Sequence, residues 1–221
     1  MSKSATVVAL GKGERTAARI REVALDQFSR LGFERVTMAG IAAAAEVSQA
    51  TLHYHFQDKD QLWRSAMLEL AAVISEEERL LSAARDAAPI AQLRMAMRLF
   101  LQISWRHPAL GRIVALEGMA GGERLDWLNE HLLGPRNSRL VELARRAMAA
   151  GDLKPFPPEM LVITLQAGAA GVINLAPLMR SAFGIDPDTL ESRAAHEDLI
   201  LNALVQGLLA DRSGTPTEDT P

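Results

Sequence analysis

Residues 37–63, TMAGIAAAAEVSQATLHYHFQDKDQLW, decide how this chain is read. They divide into a short helix, a tight turn, a second short helix and the start of a third. Thr37, Ser48 and Asp58 each stand just ahead of a helical run, where a side-chain oxygen can accept a bond from a free backbone N–H of the first turn. A helix-turn-helix needs a small residue in its first helix, a tight turn, and an apolar anchor midway along the second. Ala42, the turn Glu46-Val47-Ser48, and Leu52 meet these needs, and Ile41, Val47 and Phe56 supply an apolar seam. Such a motif lays its second helix in the major groove of DNA.

Upstream, the spacing predicts a helix from about Glu14 to Leu31, with Ile20, Val23, Ala24, Phe28 and Leu31 on one face. Gly32 follows as a left-handed cap, and Phe33 is placed to fold back onto the last turn. Residues 1–13, with Gly11, Gly13 and two lysines, are expected to form a disordered arm. The domain organisation expected is therefore an arm (1–13), a helix-turn-helix domain (14–63), a helical bundle (64–212) and a disordered tail (213–221).

Downstream the pattern stays helical, without strand alternation, so the fold class is all-α. The helix from Lys59 runs toward the Arg79–Asp86 region. Pro89 opens a helix to about Arg106 and Pro108 another toward Met119. Gly121-Gly122 breaks the chain, Gly134-Pro135 is a kink or break in the segment from Arg124 to Ala150, and GDLKPFPPE is a loop. Two last helices are expected, Pro158–Phe183 and Asp188–Asp211. The uncharged stretch Met160–Met179 is long enough to span a bilayer. Its polar Thr164, Gln166 and Asn174, its Pro177 and its many Ala and Gly residues favour a helix buried in protein, with Gly168 and Gly171 allowing close approach.

Composition narrows the function. The 221 residues contain no cysteine, which excludes disulfides, thiolate metal sites and a cysteine nucleophile. Residues 1–64 hold nine Lys/Arg and seven Asp/Glu (net +2), the remainder fifteen and twenty (net −5), a mildly basic head on an acidic body. No apolar core of a secretory signal precedes a cleavage site, so a cytoplasmic protein without a membrane anchor is expected. His53 and His55 lie about 200° apart around a helix and cannot share a metal ion. GMAGG at 118–122 lacks the Lys-Ser/Thr ending of a phosphate loop. Glu76-Glu77-Glu78 and Arg145-Arg146 read as solvated faces. No catalytic constellation appears, and no cofactor, metal or enzymatic activity is expected.

From Arg15 to Leu62 the chain resembles the DNA-binding domain of the tetracycline-repressor (TetR) family. The residues that carry the likeness are Ala24 to Phe28, Leu31-Gly32-Phe33, Thr37-Met38, Ile41-Ala42, Val47-Ser48, Thr51-Leu52, His55-Phe56 and Lys59. The resemblance implies a homodimeric transcriptional regulator, most often a repressor, released from a palindromic operator by a small molecule bound in the C-terminal domain. It implies that Thr37 and Lys59 touch phosphate, that Gln49, Ala50 and Thr51 enter the groove, that His53 and Tyr54 reach phosphate or base edges, and that Ser48 is among the DNA-binding residues. Two positions depart from the family pattern. Glu46 replaces the usual glycine, so the turn is either less left-handed or strained by roughly 1 kcal/mol. His53 replaces the usual tyrosine, which makes its contact weaker or dependent on pH.

Chemically, Gln49 can pair with adenine in a bidentate way, and Ala50 or the Thr51 methyl can pack on a thymine methyl. Phe100, Trp105, Met119 and Trp127 are either ordinary core or the lining of a ligand cavity. Glu117, Gln166 and Asn174 are polar candidates for the same cavity, or for hydrogen bonds across a dimer seam. The last helix, with Leu199, Ile200, Ala203, Leu204, Gly207 and Leu208, would join the Met160–Met179 helix in a four-helix contact across a two-fold axis. The rival reading is an all-helical small-molecule-binding protein or enzyme without DNA affinity. Salt-sensitive binding to a palindrome separates the two.

Overall fold

The computed structural model describes residues 11–81 and 87–210, so the expected tail and most of the expected arm lie outside the described residues. The fold is all-α. The helices are α1 (Lys12–Leu31), α2 (Met38–Ala44), α3 (Gln49–His55), α4 (Lys59–Leu81), α5 (Pro89–Arg106), α6 (Pro108–Ala120), α7 (Glu123–Leu128), α8 (Gly134–Ala149), α9 (Pro158–Asn174), α10 (Ala176–Phe183) and α11 (Leu190–Leu201). Two compact units meet in sequence between Val73 and Ile74. The division falls ten residues beyond the expected border because Leu62, Trp63, Ala66, Met67 and Leu70 of α4 are all buried.

In the first unit α1 begins earlier than expected, at Lys12, because the Glu14 carboxylate accepts a bond from the Gly11 N–H. Ile20, Ala24 and Phe28 enter the core, whereas Leu31 is half-exposed and falls off the predicted face. Gly32 has φ 76°, a conformation open to glycine, but its ψ of 159° is extended rather than left-handed helical. Phe33 stacks on Phe28 with ring centroids 5.6 Å apart and meets Trp63 edge-on. Full burial of each such side chain contributes about 1.5–3 kcal/mol.

The second unit buries Leu93, Met97 and Leu101 of α5 against Leu140, Leu143 and Ala147 of α8 and Leu161 and Leu165 of α9. The break expected at Gly134-Pro135 takes the form of a π-helical turn, Asn129–Leu133, after which α8 starts at Gly134. Pro135 has no N–H to give an α-helical bond, and a Cβ on Gly134 would stand 2.6 Å from the Asn129 carbonyl, so the glycine is required there. The expected helix Pro158–Phe183 is two helices bent by 61° at Leu175, just ahead of Pro177. No single helix among the described residues is long and apolar enough to cross a membrane.

The last helix also departs from its predicted stripe. Its most buried residues are His196, Leu201 and Val205; of the predicted stripe Ile200, Leu204 and Leu208 pack partly buried against the core while Leu199 is exposed, and α11 passes into a second π-helical turn, Asn202–Gln206. Gly168 does permit a close approach: a Cβ there would lie 2.7 Å from Ile200 Cδ1. Gly171 has open space around it. An isolated antiparallel bridge between Leu153 and Leu209 ties the end of the bundle to the loop after α8.

Candidate nucleic-acid interface and ligand cavity

In the first unit the α2–α3 turn is closed by backbone bonds from Glu46 N to Ala43 O (3.1 Å) and from Val47 N to Ala42 O (3.0 Å). This paired pattern demands a left-handed residue after the helix end. Glu46 takes that place with φ 52°, the one positive φ outside glycine among the described residues. Of the two expected outcomes, the turn is left-handed and strained. An exposed ion pair with Arg19 at 2.7 Å accompanies it.

All three predicted caps are formed. The Thr37 hydroxyl accepts from Gly40 N at 3.1 Å, and the Ser48 hydroxyl accepts from Thr51 N at 3.0 Å. Asp58 accepts from Gln61 N at 2.7 Å and starts α4. Leu52, fully buried, fixes the rotation of α3. Gln49, Ala50 and His53 are exposed and Tyr54 is 85% exposed, while Thr51 is half-buried with its hydroxyl 2.8 Å from that of Ser48. Thr37 and Ser48 are exposed at the helix starts.

Lys59 has a second job that its sequence position does not reveal. Its ammonium donates to the carbonyls of Phe33 (3.0 Å) and Val36 (3.1 Å) and stands 4.2 Å from the centroid of the Phe33 ring. An ammonium has three donors, and these contacts occupy two. Lys59 therefore pins the start of α4 to the loop between α1 and α2.

Among the described residues of the second unit lie cavities of about 270 and 410 Å³. Phe100, Arg136 and Glu78 line both. The smaller is walled by Ile103, Val114, Leu133, Ile163 and Ile173, with Gln166 and Asn137 as an amide pair joined at 2.9 Å. Arg136 spends its guanidinium on Glu78 (2.9 Å), the Leu132 carbonyl (2.8 Å) and Ser75 (3.0 Å). The larger is a more open cleft, with Arg139 and His131 at its wall.

Of the seven residues predicted for a ligand site, Phe100 and Gln166 line these spaces and five do not. Met119 is 79% exposed at the end of α6 and Asn174 is exposed on α9. Glu117 is only 4% exposed, but its carboxylate is taken by Arg124 at 3.0 Å. Trp105 is core, edge-on to His196 at 5.6 Å and beneath the Arg193 guanidinium. Trp127 stacks on His131 at 4.5 Å. Glu77 and Glu78 also depart from the solvated face expected of them: both are half-buried, Glu77 facing His107 and Arg106, and Glu78 facing Arg136. Arg136, Asn137 and Glu78 were missed for want of any local signal. They come from distant helices and acquire meaning only when packed. Among the described residues no group of three His, Asp or Glu side chains is placed to hold a metal ion.

An exposed recognition helix on a capped three-helix unit, joined to a separate helical bundle with internal cavities, defines a helix-turn-helix transcriptional regulator. Comparison with known proteins agrees. Residues 20–66 match the model of bacterial regulatory proteins of the tetR family, and residues 89–204 match the tetracyclin repressor-like C-terminal domain. The chain belongs to the TetR family of DNA-binding transcriptional regulators. It is 27% identical over 168 residues to the HTH-type transcriptional regulator RutR of Escherichia coli K12, covering 75% of this chain and 77% of that one. It is 30% identical over 160 residues to the nucleoid occlusion factor SlmA of Vibrio campbellii, covering 71% and 79%. Among solved structures, the ketosteroid regulator KstR2 of Mycobacterium tuberculosis superimposes with a TM-score of 0.69 at 14% identity, over 88% of this chain and 95% of that one, a likeness of fold.

Proposed function

We propose that this regulator acts in the cytoplasm, without catalysing a reaction, as a homodimeric repressor on a near-palindromic operator, and that a small molecule in the α4–α9 bundle releases it. The carrying observation is the geometry of α3: anchored by Leu52, capped by Ser48, and exposing Gln49, Ala50, His53 and Tyr54 together. Gln49 would read a base edge, Ala50 and Thr51 would pack on it, and Thr37, Ser48, Tyr54 and the remaining donor of Lys59 would hold phosphate.

A dimer through the last helices is supported by exposed apolar side chains on α9, α10 and α11, among them Met160, Leu178, Phe183 and Leu199. Release is supported by the continuity of α4, which carries Lys59 at one end and Glu78 on the cavity wall at the other. A ligand that binds the released geometry better would tilt α4 and change the spacing of the two recognition helices; equal affinity for both geometries would do nothing. Fluorescence anisotropy on the protein's own promoter region against random DNA, at physiological salt, tests the reading. Equal affinity for both DNAs would refute it.

A further inference from the structure

We propose that the smaller cavity takes a compact, uncharged ligand with an apolar body and one amide-like group, read by Gln166 and Asn137. The proposal rests on the reading of this cavity as the effector site. Size sets the first limit. A cavity of about 150 Å³ holds benzene, so about 270 Å³ suits roughly ten to fourteen non-hydrogen atoms.

Charge sets the second. The ion pair on the wall is already matched, Arg136 with Glu78 at 2.9 Å, and the His107 ring nitrogen Nε2 lies 3.0 Å from a Glu77 carboxylate oxygen. A ligand carboxylate would leave water to meet a guanidinium that Glu78 already neutralises. A ligand ammonium would meet a carboxylate that Arg136 already holds. Neither gains a partner that offsets its lost hydration.

The amide pair sets the third. Gln166 Nε2 donates to Asn137 Oδ1 at 2.9 Å, which leaves the Gln166 carbonyl as an acceptor and the Asn137 NH₂ as a donor. The second N–H of Gln166 stays free as well, and exchanging O and N in both groups leaves the same combination of acceptor and donors. A carboxylate can accept from these N–H groups but offers nothing to the free carbonyl; an amide or lactam, with donor and acceptor side by side, answers both.

Isothermal titration of the intact protein with 2-naphthamide, 2-naphthoate and 2-naphthylmethylammonium, at equal ionic strength, tests the proposal. The neutral amide should bind at least about tenfold tighter than either ion, and Gln166→Leu should cost it about tenfold while leaving the ions unchanged. An ion that binds as well as the amide, an amide indifferent to Gln166→Leu, or no binding by any of the three would overturn it. The comparison of ligands needs no variant, so a misfolded substitution does not blunt it. Calorimetry needs no DNA either. Amide binding that fails to release DNA would count against the effector reading and leave the cavity's chemistry standing.

Discussion

Lys59 donates a hydrogen bond to the carbonyl of Phe33 at 3.0 Å while its ammonium stands 4.2 Å from the centroid of the same residue's ring. The cation is thus held by one residue's backbone and side chain together, with the Val36 carbonyl as a further acceptor. Lys59→Ala should cost stability of about 1.5–3 kcal/mol, the range for hydrogen bonds to a charged group. Chemical denaturation with the unfolding of the first unit followed through Trp63 checks it. If the third donor also reaches phosphate, the same change should weaken all DNA sites alike and flatten the salt dependence by about one unit.

Gln49 is exposed at the first turn of α3 and is free of any structural duty that would mask its effect. Gln49→Ala should alter preference at one base pair per half-site, with a discrimination loss of about 1–3 kcal/mol. Competition binding with single-base variants of the operator reads this directly. A uniform loss over all variants would assign Gln49 to the backbone instead.

Glu46 occupies its left-handed position at a cost that glycine would not bear. Glu46→Gly should stabilise the first unit by up to about 1 kcal/mol, less the small contribution of the exposed Arg19 ion pair. A lower melting temperature would contradict the strained-turn account.

His196 is buried with its Nε2 3.0 Å from the Gly168 carbonyl, and its titration should be visible in stability. Desolvation holds its pKa below the ordinary 6.5, against the smaller opposing pull of the Gly168 bond. The unfolded chain therefore binds the proton more readily than the folded one. The contribution of neutral His196 is complete above about pH 6.5 and is lost as pH falls below that value toward the depressed one. Denaturation midpoints measured from pH 7 down to pH 5 should decline, and the decline should be shallower in His196→Gln.

Gly168 and Gly171 separate intrachain packing from association. Gly168→Ala should gain little or nothing in subunit stability, because displacing the terminal methyl of Ile200 offsets the helix-propensity gain. Among the described residues no atom beyond its own helix backbone and chain neighbours lies within 4 Å of a Cβ built at Gly171, so Gly171→Ala should raise subunit stability by up to about 1 kcal/mol through helix propensity. If α9 lies in the dimer seam, the same substitution should weaken dimerisation, measured by sedimentation equilibrium. A dimer unaffected by Gly171→Ala would move the seam toward α10 and α11.

The helix-turn-helix was legible in the sequence because its signals are local. Caps at Thr37, Ser48 and Asp58, the small Ala42 and the anchor Leu52 all act within a few residues of where they stand, and each does so in the structure. The left-handed turn at Glu46 was legible as one of two outcomes, since position alone could not weigh strain against closure. The ligand site was barely legible. Hydrophobic size drew attention to Met119, Trp105 and Trp127, yet a large side chain carries no sign of whether it faces a cavity, another side chain or solvent. Gln166 meets Asn137 across 29 residues and Arg136 meets Glu78 across 58, and no periodicity encodes such pairings. The sequence by itself determined which segments are helices, and which of them exposes a reading face, because caps and apolar spacing act through neighbouring backbone. The tertiary structure alone decided which charges neutralise one another, that Lys59 serves the fold, and where a space remains. Those depend on helices far apart in the chain arriving side by side.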